Sequence, residues 1–229
     1  MANSINTNVG ALVALQNLNQ TSRELAVTQN RVNTGQKVSS AKDNGAIWAT
    51  AQNQKANMQV LNTTRNSLQR TQSINDVGLA AGDTIMDALR QMKELAAGPV
   101  STARDADLNA LKAEVAAAKA AAVFDGTDAL ASLTMTFAAT PTALEIDTAM
   151  TAAIGALQTL GTSSKSTERS LAFNDKLQDA LEAGIGNLVD ADLAKESARL
   201  TALQTKQQLG VQALSIANQS SSILLGLFR

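Results

Sequence analysis

The residues best suited to covalent chemistry lie in the segment Ser39-Ser40-Ala41-Lys42. Ser39 and Lys42 have the S-x-x-K spacing of serine acyl-enzymes, in which the serine attacks a carbonyl carbon. The other motifs of those enzymes are missing, and the flanking glycine, asparagine and aspartate residues favour a turn. We therefore interpret this segment as a structural turn.

A second candidate is the acidic pair Asp190 and Asp192, which could bind a cation or act as acid and base. Two carboxylates without a third ligand are a weak metal signal. They come at the start of a predicted helix, where capping and the helix dipole explain them better. Gly184 and Gly186 follow no strand and lack the rest of a dinucleotide-binding loop.

The composition excludes several classes of function. The chain has no Cys and no His, which excludes zinc sites, thiol chemistry and histidine acid–base catalysis. Its net charge of -1 comes without a cluster of Lys and Arg, so nothing suggests nucleic-acid binding. We expect no enzymatic activity, no cofactor and no bound metal.

The low aromatic content, 2% of residues, favours long helices with thin cores of Ala, Leu, Ile and Val. The first predicted helix covers residues 3–33. Leu18, Leu25 and Val32 recur at intervals of seven, with Leu12 and Leu15 on nearby faces. The outer stripe of this helix is polar but mostly uncharged, which suits burial against neighbouring helices.

The last predicted helix covers residues 191–227. Its seam carries Leu193, Leu200, Leu203, Leu214, Ala217, Leu224 and, just beyond the helix, Phe228. No charged residue occurs from Gln207 to Phe228, about the length of a membrane span. The many amides and hydroxyls in this stretch would be costly in lipid, so burial among protein helices is the better interpretation.

Between the two terminal helices, residues 34–45 and 187–190 are predicted connecting segments. A helix is expected over residues 46–97, ended by Gly98-Pro99, and a second from a capping box at Thr102 and Asp105 to residue 123. Asp147 is expected to cap a helix that continues to Gly186.

The sequence pattern changes between the helices. Leu133, Met135 and Phe137 alternate with polar residues, and Leu144 and Ile146 flank a glutamate, so we predict a β-hairpin within residues 124–146. Hydroxyl side chains are expected on its outward face at Ser132, Thr134, Thr136, Thr140 and Thr142.

The fold class is therefore mostly α: a coiled-coil bundle of long helices with one small β-hairpin. Terminal helices with so little charge and such regular heptads need partners, which an oligomer would supply. The residues expected at the interface between subunits are Leu12, Leu15, Leu18, Leu25, Val32, Leu200, Leu203, Leu214, Ala217, Leu224, Leu225 and Phe228.

Several motifs at both ends resemble those of bacterial flagellins. Ile5-Asn6-Thr7-Asn8 and Arg31-Val32-Asn33-Thr34-Gly35 resemble the family's I-N-T-N and R-L-S-S-G motifs, and Ser40 to Asn44 resembles N-S-A-x-D-D. Asp190 to Glu196 is similar to D-A-D-x-A-x-E, and the chain ends like the family's A-N-Q and L-L-R. Phe124-Asp125-Gly126 is similar to the F-N-G before the hairpin.

The resemblance implies an inner tube domain formed by residues 1–33 and 191–229 and a helical outer-tube domain formed by residues 46–123 and 147–186. It implies a short flagellin without variable outer domains, exported by the flagellar type III apparatus with a chaperone. The subunit would assemble outside the cell, in contact with the cap and the hook-junction proteins, into a filament for motility. No membrane insertion is expected.

Two alternatives and one modification stay open from the sequence. The alternatives are a hook–filament junction protein, whose terminal helices look similar, and a secreted membrane-active helical protein. Some flagellins that resemble this chain carry sugars on Ser or Thr, which makes the five hairpin hydroxyls candidates for O-glycosylation. The competing interpretation is that hydroxyls simply suit a strand face in contact with water.

Overall fold

The computed structural model describes residues 7–227, with side chains described as far as residue 219. The described residues form α1 Val9–Thr34, α2 Gly45–Ala97, α3 Thr102–Ala121, β1 Val123–Phe124, β2 Thr127–Asp128, α4 Ala143–Val189 and α5 Leu193–Leu227. The predicted fold class, mostly α with one small β-hairpin, is confirmed.

The packing of the backbone divides the chain into two compact units. The first contains residues up to 57 and from 181 onward, including α1 and α5, and the second contains residues 58–180, including α3 and the hairpin. Helices α2 and α4 contribute to both units. This division follows packing alone, so the domain boundaries given above stay a prediction.

The core of the second unit is formed by one face each of α2, α3 and α4, with the segment after the hairpin packed against them. Its least accessible side chains are Ile85, Leu89, Met92, Leu108, Leu130, Leu133 and Ile146. Full burial of an aliphatic side chain of this size contributes about 1.5–3 kcal/mol. This cluster is the main source of stability in the second unit.

The hairpin turns at Asp125 and Gly126, which have φ angles of 50° and 74°. Two successive positive φ angles define a type I′ turn, for which Asp-Gly is a preferred sequence. Strands β1 and β2 pair antiparallel on either side of it. The Arg70 guanidinium holds the turn, with 2.6 Å to Asp125 Oδ2 and 3.3 Å to its carbonyl oxygen.

The two strands predicted around residues 133–137 and 144–146 are absent from the structure. Leu133 is buried and Met135 and Phe137 are half-buried, so the alternation of burial is present, but residues 133–138 pair with no other strand among the described residues. The ammonium groups of Lys119 and Lys112 donate to the carbonyl oxygens of Leu133 and Ala138. The segment is thus an extended strap that lysines anchor at both ends.

Leu144 and Ile146 lie in the first turn of α4, which begins four residues before the predicted cap at Asp147. The Thr142 hydroxyl accepts from the Glu145 N–H at 3.3 Å, and the Glu145 carboxylate accepts from the Thr142 N–H at 2.8 Å. This reciprocal capping box starts the helix. Asp147 instead pairs with Lys93, at 2.6 Å.

Helix α3 also begins earlier than predicted. Its cap is Ser101, whose side chain accepts from the Arg104 N–H at 3.1 Å, and not Thr102. The Asp105 carboxylate, the expected partner in a capping box, pairs with Arg104. Helix α2 ends at Ala97, directly before Gly98-Pro99, as predicted.

Candidate functional site

Helices α1 and α5 pack against each other along a regular seam. The buried or half-buried positions recur at alternating spacings of three and four residues, the pattern of a two-stranded coiled coil. On α1 they are Ala11, Ala14, Leu18, Thr21, Leu25, Thr28 and Val32. On α5 they are Glu196, Leu200, Leu203, Gln207, Gly210, Leu214 and Ala217. The predicted pairing of the two terminal helices is confirmed.

Contacts near the two ends of the seam show that the helices run antiparallel. Near one end, the Asn8 side chain donates to the Ala217 carbonyl oxygen at 2.8 Å. Near the other, the Arg31 guanidinium lies 3.2 Å from the Glu196 carboxylate. Asn8 also caps α1, since its side chain accepts from the Ala11 N–H at 3.0 Å.

Small and hydroxyl residues occupy seam positions that would normally hold large apolar side chains. A Cβ added at Gly210 would lie 3.3 Å from Leu18 Cδ1, so the absence of a side chain lets α1 approach α5 closely. Thr21 is buried and donates to the Asn17 carbonyl oxygen of its own helix at 2.9 Å. The seam therefore buries a narrow and partly polar stripe.

In the ion pair at the end of the seam, the Glu196 carboxylate is largely shielded from water, whereas the Arg31 side chain is 31% exposed. Glu196 has 9% of its surface exposed, and its Oε1 accepts from Arg31. A charge buried without a partner is costly, so the guanidinium is needed where this carboxylate lies. One turn along, Glu24 and Arg199 approach to 3.9 Å at a more exposed position.

The connection after α1 is joined to the connection before α5 by backbone hydrogen bonds. Gly35 ends α1 with a φ of 70°, a left-handed conformation that favours glycine. Its carbonyl oxygen accepts from the Ala191 N–H at 2.8 Å, and the Lys37 N–H donates to the Val189 carbonyl oxygen at 2.7 Å. The Lys37 ammonium adds a bond to the Asn187 carbonyl oxygen at 2.8 Å.

The serines considered above as nucleophiles are used in the turn that precedes α2. The Asp43 carboxylate accepts from the backbone N–H groups and hydroxyls of both Ser39 and Ser40. The Ser40 N–H is the main cause that lowers the pKa of Asp43, helped by the Ser40 hydroxyl. The turn interpretation accounts for this motif.

Of the acidic pair, Asp192 caps α5, because its Oδ1 accepts from the Lys195 N–H at 3.1 Å. The predicted helix cap is present at this residue. Within the described part of the chain, no group of three or more His, Cys, Asp or Glu side chains could hold a metal ion.

The predicted interface residues fall into three groups. Leu18, Leu25, Val32, Leu200, Leu203, Leu214 and Ala217 lie in the seam within the chain. Leu12 and Leu15 point away from it and are exposed. The backbones of Leu224 and Leu225 are helical but their side chains lie outside the described residues, as does all of Phe228.

Sequence reasoning missed the small and polar seam residues, which are Ala11, Ala14, Thr21, Thr28, Glu196, Gln207 and Gly210. None of them has a large apolar side chain that would mark the seam. The heptad spacing could have found them, because each lies three or four residues from a predicted seam leucine or valine, or from another missed position.

The outward faces of the paired helices carry large apolar side chains. Leu12 has 56% of its surface exposed and Ile216 has 67%. Other exposed apolar residues of these helices are Val9, Val13, Leu15, Val27, Leu209 and Val211. Leu193, which the sequence placed in the seam, is also exposed, because the seam on α5 begins at Glu196. Single exposed apolar side chains are common on protein surfaces, whereas a group of them on neighbouring helices is typical of an interaction surface.

The five candidate glycosylation residues are all exposed. Ser132 precedes the strap, Thr134 and Thr136 lie in it, and Thr140 follows it. Thr142 differs from the others because its hydroxyl caps α4. Among the helices in the described range, none is both long and apolar enough to cross a membrane.

Two family models match most of the chain. Residues 5–134 match the bacterial flagellin N-terminal helical region, and residues 144–228 match the bacterial flagellin C-terminal helical region. The first matched region contains α1 and ends within the strap, and the second begins in the first turn of α4 and contains α5.

Several curated relatives align with the chain over nearly their whole length. Flagellins FljM and FljK of Caulobacter vibrioides are each 50% identical to this chain over 270 aligned positions, covering 99% of the chain and 99% of each relative. A flagellin of Brucella melitensis is 32% identical, again covering 99% of both chains.

Proposed function

The chain belongs to the bacterial flagellin family, and from this premise we propose that α1 and α5 together form the surface through which its copies pack in a filament. As a flagellin, it is a structural subunit of the extracellular flagellar filament, and its copies polymerise with one another. Only residues 122–142 separate α3 from α4, so it is a short form without variable outer domains.

The observation that supports this surface is the apolar outward face of the α1–α5 pair. Inside the chain, each of the two helices covers the other along one narrow seam, which leaves Leu12 and Leu15 of α1 and Ile216 of α5 exposed. Further copies in a filament would cover these faces and remove apolar surface from water, at roughly 25 cal/mol per Å².

The seam leucines keep a role in this proposal. They hold α1 against α5, so the two helices present their outward faces together to neighbouring copies. Leu224, Leu225 and Phe228 stay predicted contacts of the same surface, because their spacing continues the α5 pattern. From Gln207 to Gln219 the helix has no charge that a neighbour would have to neutralise.

We also propose the layering expected from the sequence. Residues 1–33 and 191–229 would line the inner tube of the filament, and residues 46–123 and 147–186 would form the outer tube. Residues 34–45 and 187–190 would connect the layers, with the hairpin region on the outer side. The polar helices of the inner layer carry fewer charges than those of the outer layer, which suits burial among neighbouring helices.

Passage out of the cell through the flagellar export apparatus, with a chaperone, is part of the same proposal, as are contacts with the cap and hook-junction proteins. Helices with a narrow apolar stripe draw most of their stability from packing. Such helices can pass through a channel unfolded and become stable when neighbours are present.

We propose that the chain has no catalytic role. Its candidate nucleophiles and one of its two candidate carboxylates are engaged in the turn before α2 and in the cap of α5. The full-length likeness to flagellins favours a filament subunit over a hook–filament junction protein. A membrane-active protein would need a spanning apolar helix.

O-glycosylation stays a proposal for Ser132, Thr134, Thr136 and Thr140, whose hydroxyls face solvent. Thr142 is a poorer acceptor, because a sugar on its oxygen would compete with the bond from the Glu145 N–H. An intact mass of native filaments equal to that of the bare chain would show that these hydroxyls are unmodified.

The test of the assembly surface is Leu12→Asp in the full chain. Leu12 is exposed in the monomer, so helix content and the melting temperature should stay near those of the original chain. In a filament the new carboxylate would be buried without a partner, at a cost of roughly several kcal/mol per subunit. Seeded polymerisation, followed by sedimentation and electron microscopy, should leave this variant in the supernatant.

The matched control is Leu144→Asp, the same change at an exposed leucine of α4 in the second unit. It should pellet as filaments. Normal filaments from Leu12→Asp would contradict the proposed surface. Failure of both variants would show a general intolerance of added charge, and the assignment to α1 and α5 would then fall.

A further inference from the structure

We propose that Asn44 is a site of spontaneous deamidation, at which the chain gains a negative charge in the segment that joins α1 to α2. Asn44-Gly45 is the one Asn-Gly pair in the sequence. Because glycine has no Cβ, its backbone nitrogen approaches the preceding side chain without hindrance. Asn44 is exposed and lies at the start of α2.

The reaction needs only water. The Gly45 nitrogen loses its proton and forms a bond to Asn44 Cγ, while the bond from Cγ to the amide nitrogen breaks and ammonia leaves. Water then opens the resulting five-membered imide. Opening at the side-chain carbonyl gives aspartate, and opening at the main-chain carbonyl gives isoaspartate, in which the backbone runs through the former side chain.

The space around the pair permits this ring closure. A Cβ built on Gly45 would meet no other part of the protein within 4 Å, so this side of Gly45 is open to water. Gly45 and Asn44 are both exposed. Asn66, which precedes Ser67 inside α2, is also exposed but lies well within a regular helix.

One hydrogen bond restrains the Asn44 side chain, and a second holds its backbone carbonyl in the first turn of α2. Asn44 Oδ1 accepts from the Ile47 N–H at 3.1 Å, and its carbonyl oxygen accepts from the Trp48 N–H at 2.9 Å. Asn44 therefore caps α2, and Cγ has to rotate out of this cap before Gly45 can attack it. A cap of ordinary strength should slow the reaction about fivefold relative to the unfolded chain.

The two products differ in what they do to α2. Aspartate caps a helix about as well as asparagine and adds a negative charge at the favourable end of the dipole. Isoaspartate adds an atom to the backbone between residues 44 and 45, which removes the cap. The new charge also lies next to Asp43, whose pKa is already lowered by its bonds to Ser40 and Ser39.

The experiment follows the full-length chain in mildly alkaline buffer, folded and in urea. Trypsin cuts after Lys42 and Lys55, so residues 43–55 form one peptide for mass spectrometry. We expect the amide-to-acid mass change at Asn44, with isoaspartate and aspartate separated by fragmentation, and about fivefold slower conversion in the folded chain. Trp48, the only tryptophan, should report loss of the cap by fluorescence.

The matched control is Gly45→Ala, which adds a methyl group into open space at a helical position. It should keep the fold and slow the conversion at least tenfold relative to the original chain, since the methyl group hinders the attacking nitrogen. If Asn44 lost its amide no faster than Asn66 when both were measured in urea, the proposal would be overturned. Conversion that Gly45→Ala leaves unchanged would also overturn it.

Discussion

At Gly82 a hydrogen atom occupies the place where any other residue would have a side chain, and Leu157 of α4 packs directly over it. A Cβ added there would overlap Leu157 Cδ2 and lie 3.0 Å from its Cγ. Gly78, one turn earlier, meets Leu160 and Ala129 at 2.8 Å in the same way. These glycines set how closely α2 approaches α4.

Gly82→Ala should therefore destabilise the second unit. Overpacking of a filled core costs about 1–3 kcal/mol, and the better helix propensity of alanine offsets about 0.5–1 kcal/mol of it. We expect a net loss of about 1 kcal/mol in the free energy of unfolding, measured as a lower urea midpoint.

The control is Gly155→Ala in α4, where an added Cβ meets nothing within 4 Å. With space free and the helix propensity improved, this variant should be more stable by about 0.5–1 kcal/mol. If both substitutions changed the urea midpoint in the same direction, close packing would not be the role of Gly82.

The first turn of α4 shows how a local cap decides the start of an element. Thr142 and Glu145 satisfy each other's backbone N–H groups. The Thr142 N–H is the main cause that lowers the pKa of Glu145, helped by the Thr142 hydroxyl. Hydrogen bonds to the ionised form are what depress the pKa of a carboxyl.

The sign of the pH dependence follows from that lowered pKa. A carboxyl with a depressed folded pKa stabilises the fold above its unfolded pKa, about 4.3 for glutamate. That contribution is lost as the pH falls through the folded pKa. The pKa of Asp43 in the turn before α2 is also lowered, so this carboxyl gives a pH dependence of the same sign.

Thr142→Ala should destabilise the second unit by about 1 kcal/mol at neutral pH, the usual cost of losing a threonine cap. Below about pH 4, the free energy of unfolding of this variant should also change less with pH than that of the original chain. The reason is that the Glu145 carboxylate loses its bond from the residue 142 hydroxyl. Thermal melts from neutral to acidic pH would measure both effects.

Thr140→Ala is the comparison for this variant, since Thr140 is exposed in the same segment and starts no helix. It should leave the melting temperature unchanged. Equal effects of the two substitutions would mean that the capping box does not determine where α4 begins.

For the whole molecule, the two units differ in how they are held together. The second has a contiguous aliphatic core in which Ile85, Leu89 and Met92 are fully buried. The seam of the first unit includes glycine, threonine and glutamine positions. Ordering a residue costs on the order of 1 kcal/mol, so a narrow seam leaves α1 and α5 much less stable than the second unit.

Amide hydrogen exchange should show this difference directly. In the monomer, the amides of α1 and α5 should exchange faster than those of residues 85–92 in α2. In filaments the terminal helices should gain protection by at least about tenfold, since neighbouring copies cover their outward faces. Equal protection of α1 and α5 in monomer and filament would show that assembly does not stabilise them.

The sequence by itself determined the helical class, the ends of α2, the pairing of the terminal helices and the family. Heptad spacing and the absence of His and Cys depend only on residue type and order, so they can be read without coordinates. The Asp125-Gly126 turn was also predictable, because positive φ angles are a property of those residues.

Only the tertiary structure decided which apolar residues face inward, and where the strands lie. The alternation at residues 133–137 is equally compatible with a strand and with a strap laid on helices, and Lys112, Lys119 and the core beneath select the strap. The sequence expected both Leu12 and Leu18 at the interface between subunits, yet Leu18 packs in the seam beside Gly210 and Leu12 is exposed. Such choices depend on the partner surface, which a linear pattern does not contain.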